Sequence, residues 1–356
     1  DFALVSTFQN IKRTFDILPD AYTDDGGTRV APSAEWRYVE DTVRDVMARH
    51  NVDEIRTPIL EPTEVVARGV GESTDIVQKE MFAFERGDTS YVLRPEVTAP
   101  VVRSFLQHHL DQRGGVQKLY YIGPCFRAEQ PQKGRYRQFH QFGVEILCTD
   151  DARADAETIA IMTAIYEALG ISDTRLRINT LGTPDRREEY VEVLRDYLAP
   201  YADDLSDASQ RRLERNPLRV LDTKLDHEQE ILADAPQLID YVNDESRAHY
   251  DRVKGLLDDL DVPYEEDPHL VRGLDYYTET TFELESPGLG AQSALAGGGR
   301  YDRLAEVLGS DEPVPAIGFA AGMGRLFPAL GDADAGRPGP PDAHGLLWAP
   351  GVGDER

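Results

Sequence analysis

The sequence predicts an α+β chain: an antiparallel sheet flanked by helices, with a helical insertion and the start of a further α/β unit at its end. Three observations carry this. Residues 118–148 read as one long β-hairpin, with strands at 118–129 and 137–148. Amphipathic helical patterns lie on both sides of it, at 33–50 and 152–169. Between 183 and 265 the composition turns to Asp, Glu and Arg at helical spacing, broken at Pro200, Pro217 and Pro236.

Each element has its own signal. Residues 1–30 are irregular and rich in Gly and Asp. Ser33 then stands where an N-cap is expected, and Trp36, Val39, Val43, Val46 and Met47 recur at helical spacing. DEIRTPILEP reads as a strand interrupted by Pro58, and proline in a strand points to an edge or an interface. Tyr91 and Leu93 alternate in a strand that ends at Arg94-Pro95. Thr98 caps a helix running to about Leu110, so Glu96 and Thr98 occupy a strand-to-helix corner, a common place for ligand contacts. Capping alone would also explain Thr98. In 152–169 the stripe is Ile159, Met162, Ile165, Tyr166 and Leu169, and RLRINTLG follows as a strand.

The hairpin carries the chemistry. Strand side chains alternate between faces, so Phe139, Gln141, Gly143 and Glu145 share one face, and Cys125 and Arg127 share a face on the neighbouring strand. A face with a ring, an amide, a gap and a carboxylate is unlike a packing surface. Between 113 and 137 there are six Lys or Arg and a single acid, Glu129. The whole chain has 356 residues, 65 acids against 38 bases and a net charge of −27. Such an excess of acid is unfavourable for a general nucleic-acid surface, so any polyanionic partner must be met locally. The remaining acids read as a solvated surface suited to high salt.

Two cysteines, Cys125 and Cys148, lack metal-like spacing and read as buried thiols of a reducing compartment, close together on the paired strands. No apolar run approaches the length of about 18 residues that a membrane span needs. Together these predict a cytoplasmic protein with no membrane partner.

FRAEQPQKGRYRQFHQ closely resembles motif 2 of class II aminoacyl-tRNA synthetases, in the form found among histidyl-tRNA synthetases. Other stretches follow in the family's order. The helix and strand around 33–62 resemble motif 1, which forms a homodimer interface in the family. RPEVT resembles the family's RPEGT, with Val97 in place of glycine. LVRGLDYYTETTFELES resembles the stretch peculiar to histidyl-tRNA synthetases. ALAGGGRYDRL has three glycines, Gly297 to Gly299, between strand and helix, where either a close ligand approach or a flexible turn would need them. AIGFAAGMGRL resembles motif 3, with Arg325 kept and Gly324 where the family has Glu.

The resemblance implies a class II synthetase-type fold. It divides the chain into a catalytic domain at 1–182 and 266–330, a helical insertion at 183–265 directed at the tRNA acceptor arm, a linker at 331–341, and the start of an anticodon-binding domain at 342–356. The linker is expected to lead into roughly one further small domain, on the order of 100 residues. The implied activity is histidine activation with ATP and Mg²⁺, followed by transfer to histidine tRNA. Arg127 would hold the α-phosphate and the histidine carboxylate. Arg135 and Arg325 would hold the outer phosphates, and Phe139 would stack on adenine. Arg272 would sit opposite Arg127 across the reacting phosphorus, where many class II enzymes place a metal. No protein-held metal is expected, and Mg²⁺ would travel with the phosphates. Glu96, Thr98 and Gln141 would accept from the α-ammonium. Glu145 and Tyr277 would meet the imidazole nitrogens, with Arg272 and Tyr276 beside them. An alternative is a non-catalytic regulatory subunit of ATP phosphoribosyltransferase. The short C-terminus and Gly324 fit it; the intact motif 2 and LVRGLDYYT do not.

Overall fold

The computed structural model describes residues 9–71, 74, 76–128, 135–271, 274 and 276–330, apart from the side chains of 290–292. Residues 331–356, and with them the expected linker and further strand, lie outside it.

Eight strands form the main sheet: β1 (Asp53–Glu54), β2 (Gln117–Phe126), β3 (Gln138–Leu147), β4 (Arg175–Thr180), β5 (Glu265–Glu266), β6 (Thr278–Glu285), β7 (Ala294–Arg300) and β8 (Ala316–Gly322). Their spatial order is β5-β4-β6-β7-β8-β3-β2-β1. The six central strands pair antiparallel, and only the two-residue edges β5 and β1 join in parallel. The antiparallel sheet of the sequence reading is therefore the frame of the molecule. β2 and β3 are the expected hairpin, in the register Cys125 opposite Phe139 and Gly123 opposite Gln141.

That register separates two chemistries. The even positions of β3, Phe142, Val144 and Ile146, are buried in an apolar core with Ile317, Phe319 and Phe282 from neighbouring strands. Helices α1 (Ser33–Arg49), α2 (Ala152–Ala168) and α3 (Asp244–Asp259) cover this face with Val43, Met47, Ile159, Met162, Val253 and Leu257. Burying each such side chain contributes about 1.5–3 kcal/mol, so this face sets the sheet's position. The odd positions, Phe139 to Glu145, face the other way. On that side a Cβ at Gly143 would collide with the Phe319 carbonyl and the Tyr121 hydroxyl. The gap read in the sequence is thus closed by neighbouring strands rather than left open to a ligand.

Some local expectations change. Pro32, not Ser33, occupies the N-cap of α1, and it offers no side-chain cap; the Ser33 amide donates to the Leu18 carbonyl instead. Proline at 58 divides DEIRTPILEP between two sheets: β1 joins the main sheet, while Leu60–Pro62 pairs with Thr89–Leu93 in a separate three-stranded sheet. The two cysteines are free and lie towards opposite ends of the hairpin, Cys125 opposite Phe139 and Cys148 just beyond the Leu147–Gln117 pair. Residues 22–30, read as irregular, include a short hairpin of Tyr22–Thr23 with Arg29–Val30.

Between β4 and α3 lies a helical layer with its own core, in which Tyr190, Leu194, Leu198, Val220, Leu232 and Leu238 are buried. Tyr277 belongs to that same cluster. The helical layer and the sheet therefore meet at the start of β6.

Candidate active site

Among the described residues, one cavity of about 470 Å³ gathers most of the polar residues singled out in the sequence. Glu96, Thr98, Arg127, Arg135, Phe139, Gln141, Tyr276, Tyr277 and Arg325 all line it. They arrive from the strand-to-helix corner, both hairpin strands, the start of β6, and the helix Met323–Leu330. Arg272 and Asp275 lie outside the described residues.

The corner is built around Arg94 and Glu96. Arg94 is buried and donates to the Thr57 carbonyl and hydroxyl at 2.9 and 2.8 Å and to the Pro124 carbonyl at 3.0 Å. This ties the corner to the hairpin. Glu96 then accepts from the Thr98 and Ala99 amides at 2.7 and 3.0 Å. It is Glu96, and not Thr98, that satisfies the first amides of the helix Thr98–Gln107, so the capping role read for Thr98 is corrected. A carboxylate there also complements the partial positive charge of the helix end. Burial raises the Glu96 pKa, against the pull of those amides and of Arg127.

With the cap supplied by Glu96, the Thr98 hydroxyl donates to Glu145 at 2.7 Å. Tyr301 donates to the other oxygen of Glu145 at 2.5 Å. Glu145 has no exposed surface, and burial pushes its pKa up to about 8 while the two hydroxyls pull it down. It sits behind Thr98 rather than on the cavity wall. A carboxylate offers about four lone-pair sites, so two donors leave acceptor capacity. The Cβ of any larger residue at Gly318 would strike this carboxylate, which explains glycine on the facing strand.

Two of the cationic groups are anchored to backbone carbonyls. Arg127 Nε donates to the Pro95 carbonyl at 2.9 Å, and its guanidinium lies 5.4 Å from the Phe139 ring centroid. This orients the fork and covers part of one ring face. Arg325 Nη1 donates to the Ala294 carbonyl at 2.6 Å. A Cβ at Gly324 would meet nothing within 4 Å, so the glycine answers no steric demand. The Ala294 carbonyl gives Arg325 support that does not depend on its neighbour. Gln141 Oε1 accepts from the Cys125 thiol at 3.3 Å; burial raises that thiol to about 12, so it remains a donor.

Among the wall residues not foreseen as site residues, three are charged. Arg219 comes from the helical layer, Glu80 from the short helix Ile76–Glu80, and Glu283 from β6. Glu283 accepts from Arg177 at 2.8 Å, and Arg177 also binds Asp267 and Glu285, each at 2.6 Å. The alternation of Thr281, Glu283 and Glu285 was the available signal for this one. Nothing in the local pattern around Arg219 marks it.

Chemically the cavity gathers guanidinium groups with hydroxyls, an amide and carboxylates along its wall. That arrangement suits a polyphosphate beside a small zwitterion. The family profile described as "Histidyl-tRNA synthetase" matches residues 30–326. The histidine–tRNA ligase of Acaryochloris marina (strain MBIC 11017) is 51% identical over 322 residues, covering 90% of this chain and 72% of that protein. The crystal structure of apo S. aureus histidyl-tRNA synthetase superposes with a TM-score of 0.70 at 39% identity, over 91% of this chain and 73% of that one. A Bacillus halodurans C structure titled as an ATP phosphoribosyltransferase regulatory subunit/histidyl-tRNA synthetase gives 0.64 at 24% identity, over 91% and 83%, a likeness of fold alone.

Proposed function

This chain belongs to the histidyl-tRNA synthetase family, and from that premise we propose that the cavity joins histidine to ATP and passes the histidyl group to tRNA. The overall reaction is that of a histidine–tRNA ligase. In the first step a histidine carboxylate oxygen attacks the α-phosphorus of ATP, and the bond to pyrophosphate breaks. In the second, a ribose hydroxyl at the tRNA end attacks the acyl carbon, and AMP leaves.

The observation that carries the residue assignments is that Arg127, Arg135 and Arg325 line one cavity with Glu96, Thr98, Gln141 and Tyr277. Negative charge builds on phosphoryl oxygens during the first step, and fixed cations stabilise it best when already oriented. Arg127 is oriented, between the Pro95 carbonyl and the Phe139 ring. We assign it to the α-phosphate, and Arg135 and Arg325 to the outer phosphates. Phe139 offers its ring to adenine. Arginine suits these tasks because its planar fork donates in pairs. Arg272 keeps its assignment opposite Arg127 by resemblance.

Glu96, Thr98 and Gln141 are assigned to the α-ammonium and Tyr277 to the imidazole, with Tyr276 beside them; Glu145, which stands behind Thr98, keeps its assignment to the imidazole by resemblance. A buried imidazole needs a partner at each nitrogen, and a site built for such bonds rejects analogues that lack them. Among the described residues no group of three His, Cys, Asp or Glu is placed to hold a metal ion. Mg²⁺ asks for less, one or two carboxylates plus phosphate oxygens. Glu80 and Glu283 on the wall would supply those carboxylates, and the ion would neutralise charge on the outer phosphates.

The division into a catalytic domain at 1–182 and 266–330 with an insertion at 183–265 is kept. No helix of the described residues is long and apolar enough to cross a membrane; the cytoplasm is proposed as the site of action from the family's reaction. A homodimer through the 33–62 region is supported by Ile59 and Leu60, which are 41 and 42% exposed where the edge strand Leu60–Pro62 of the small sheet begins. Histidine-dependent exchange of pyrophosphate into ATP tests the assignment of activity. The regulatory-subunit alternative gives no reason for three arginines at one cavity, and it is not favoured.

A further inference from the structure

We propose that Arg187, in the helix Pro184–Leu198 of the helical layer, is a positioning residue for the histidine pocket; this rests on the functional reading above. Arg187 is half-buried and donates through Nη1 to the Tyr277 carbonyl at 2.5 Å, across 90 residues of sequence. Tyr277 is 6% exposed and has two allegiances. Its side chain lines the cavity, yet it is buried with Leu181, Tyr190 and Leu194 of the helical layer. On its other side the ring lies against Gly299, where a Cβ would come within 3.0 Å of it.

From Tyr277 the contacts continue to the carboxylate behind the pocket. The Tyr276 ring is 4.7 Å from that of Tyr277 and 5.7 Å from that of Tyr301, and the Tyr301 hydroxyl donates to Glu145. Arg187 therefore fixes the backbone at the point where the helical layer hands over to the amino-acid side of the cavity. Arg187 does not line the cavity itself, and it acts through Tyr277. A charge-assisted bond to a backbone carbonyl is among the stronger neutral-acceptor bonds. Losing it frees the segment 276–280 to move, and the pocket loses pre-organisation on the histidine side while the phosphate side keeps its own backbone anchors.

The test uses the full chain with Arg187→Ala and Arg187→Lys. We expect the alanine variant to raise the KM for histidine in pyrophosphate exchange by about ten-fold, with at most a two- to three-fold change for ATP. Lysine keeps one donor and should recover most of the loss. A second measurement needs no activity: amide hydrogen exchange of residues 276–280 should quicken in the alanine variant and return towards wild type with lysine. Equal changes in both KM values, or exchange at 276–280 that matches wild type, would overturn the proposal. If the wild-type chain shows no histidine-dependent exchange of pyrophosphate, the functional reading fails, and the hydrogen-exchange result still decides whether Arg187 holds Tyr277. If the alanine variant is globally unfolded, Arg187→Met, which keeps the packing volume without a donor, carries both measurements: the same rise in the histidine KM and quicker exchange at 276–280 are expected, and wild-type values would overturn the proposal.

Discussion

Glu145→Gln is the most informative single substitution, because the same carboxyl has a predictable effect on stability and on ligand choice. Glu145 is wholly buried and accepts from Thr98 and Tyr301, and burial lifts its pKa from 4.5 to about 8. The sign follows from proton counts. Between about pH 5 and 8 the folded state keeps a proton that the unfolded chain has released. The free energy of unfolding then falls as pH rises through this window. Above about pH 8 both states are ionised and the loss is complete. At about 1.4 kcal/mol per pKa unit, the full span caps the loss near 5 kcal/mol. Glutamine carries no proton to lose, so its stability should rise relative to wild type by several kcal/mol between pH 5.5 and 8.5. Urea unfolding of both proteins across that range is the assay. Curves for variant and wild type that stay parallel to within about 0.5 kcal/mol would refute the reasoning. The ligand arm is separate: Glu145→Gln should weaken histidine binding far more than ATP binding, and equal losses would indicate a packing role.

Three further outcomes are expected. Arg325→Ala should lower kcat/KM for ATP in pyrophosphate exchange by about 10–100-fold, the worth of one charge-assisted contact, with a smaller change in the KM for histidine. Arg300→Met should destabilise the fold by about 3–5 kcal/mol, read by urea unfolding, because it removes the cationic partner of a buried charge: Asp155 is 0% exposed, takes three contacts from the Arg300 guanidinium at 3.0, 3.0 and 2.6 Å, and would be left with the His249 ring at 3.1 Å. Light scattering at working concentration should give the mass of a dimer, and Leu60→Asp should shift it towards the monomer.

Much of this was legible beforehand, for physical reasons. The hairpin could be read because a strand's period of two separates Phe142, Val144 and Ile146 from Phe139, Gln141 and Glu145 without ambiguity. Helix α1 could be read because Trp36, Val39, Val43, Val46 and Met47 form an apolar stripe at helical spacing. The corner was less legible. Glu96 and Thr98 are two residues apart, and either can serve the helix end. The backbone at Val97 (φ −121°, ψ −15°) decides that Glu96 does. Pro58 marked an interruption, but not that the two halves join different sheets. Arg187 and Arg219 were illegible, because each acts on a site whose other residues lie far away in sequence. Their surroundings look like any charged helical surface.

Whether the gathered arginines serve histidine activation is measured directly by exchange of labelled pyrophosphate into ATP, run with and without histidine, and with each other amino acid in turn. Exchange should require histidine and fall by at least ten-fold in Arg127→Ala. Exchange that ignores the amino acid supplied, or that persists unchanged without Arg127, would contradict that role.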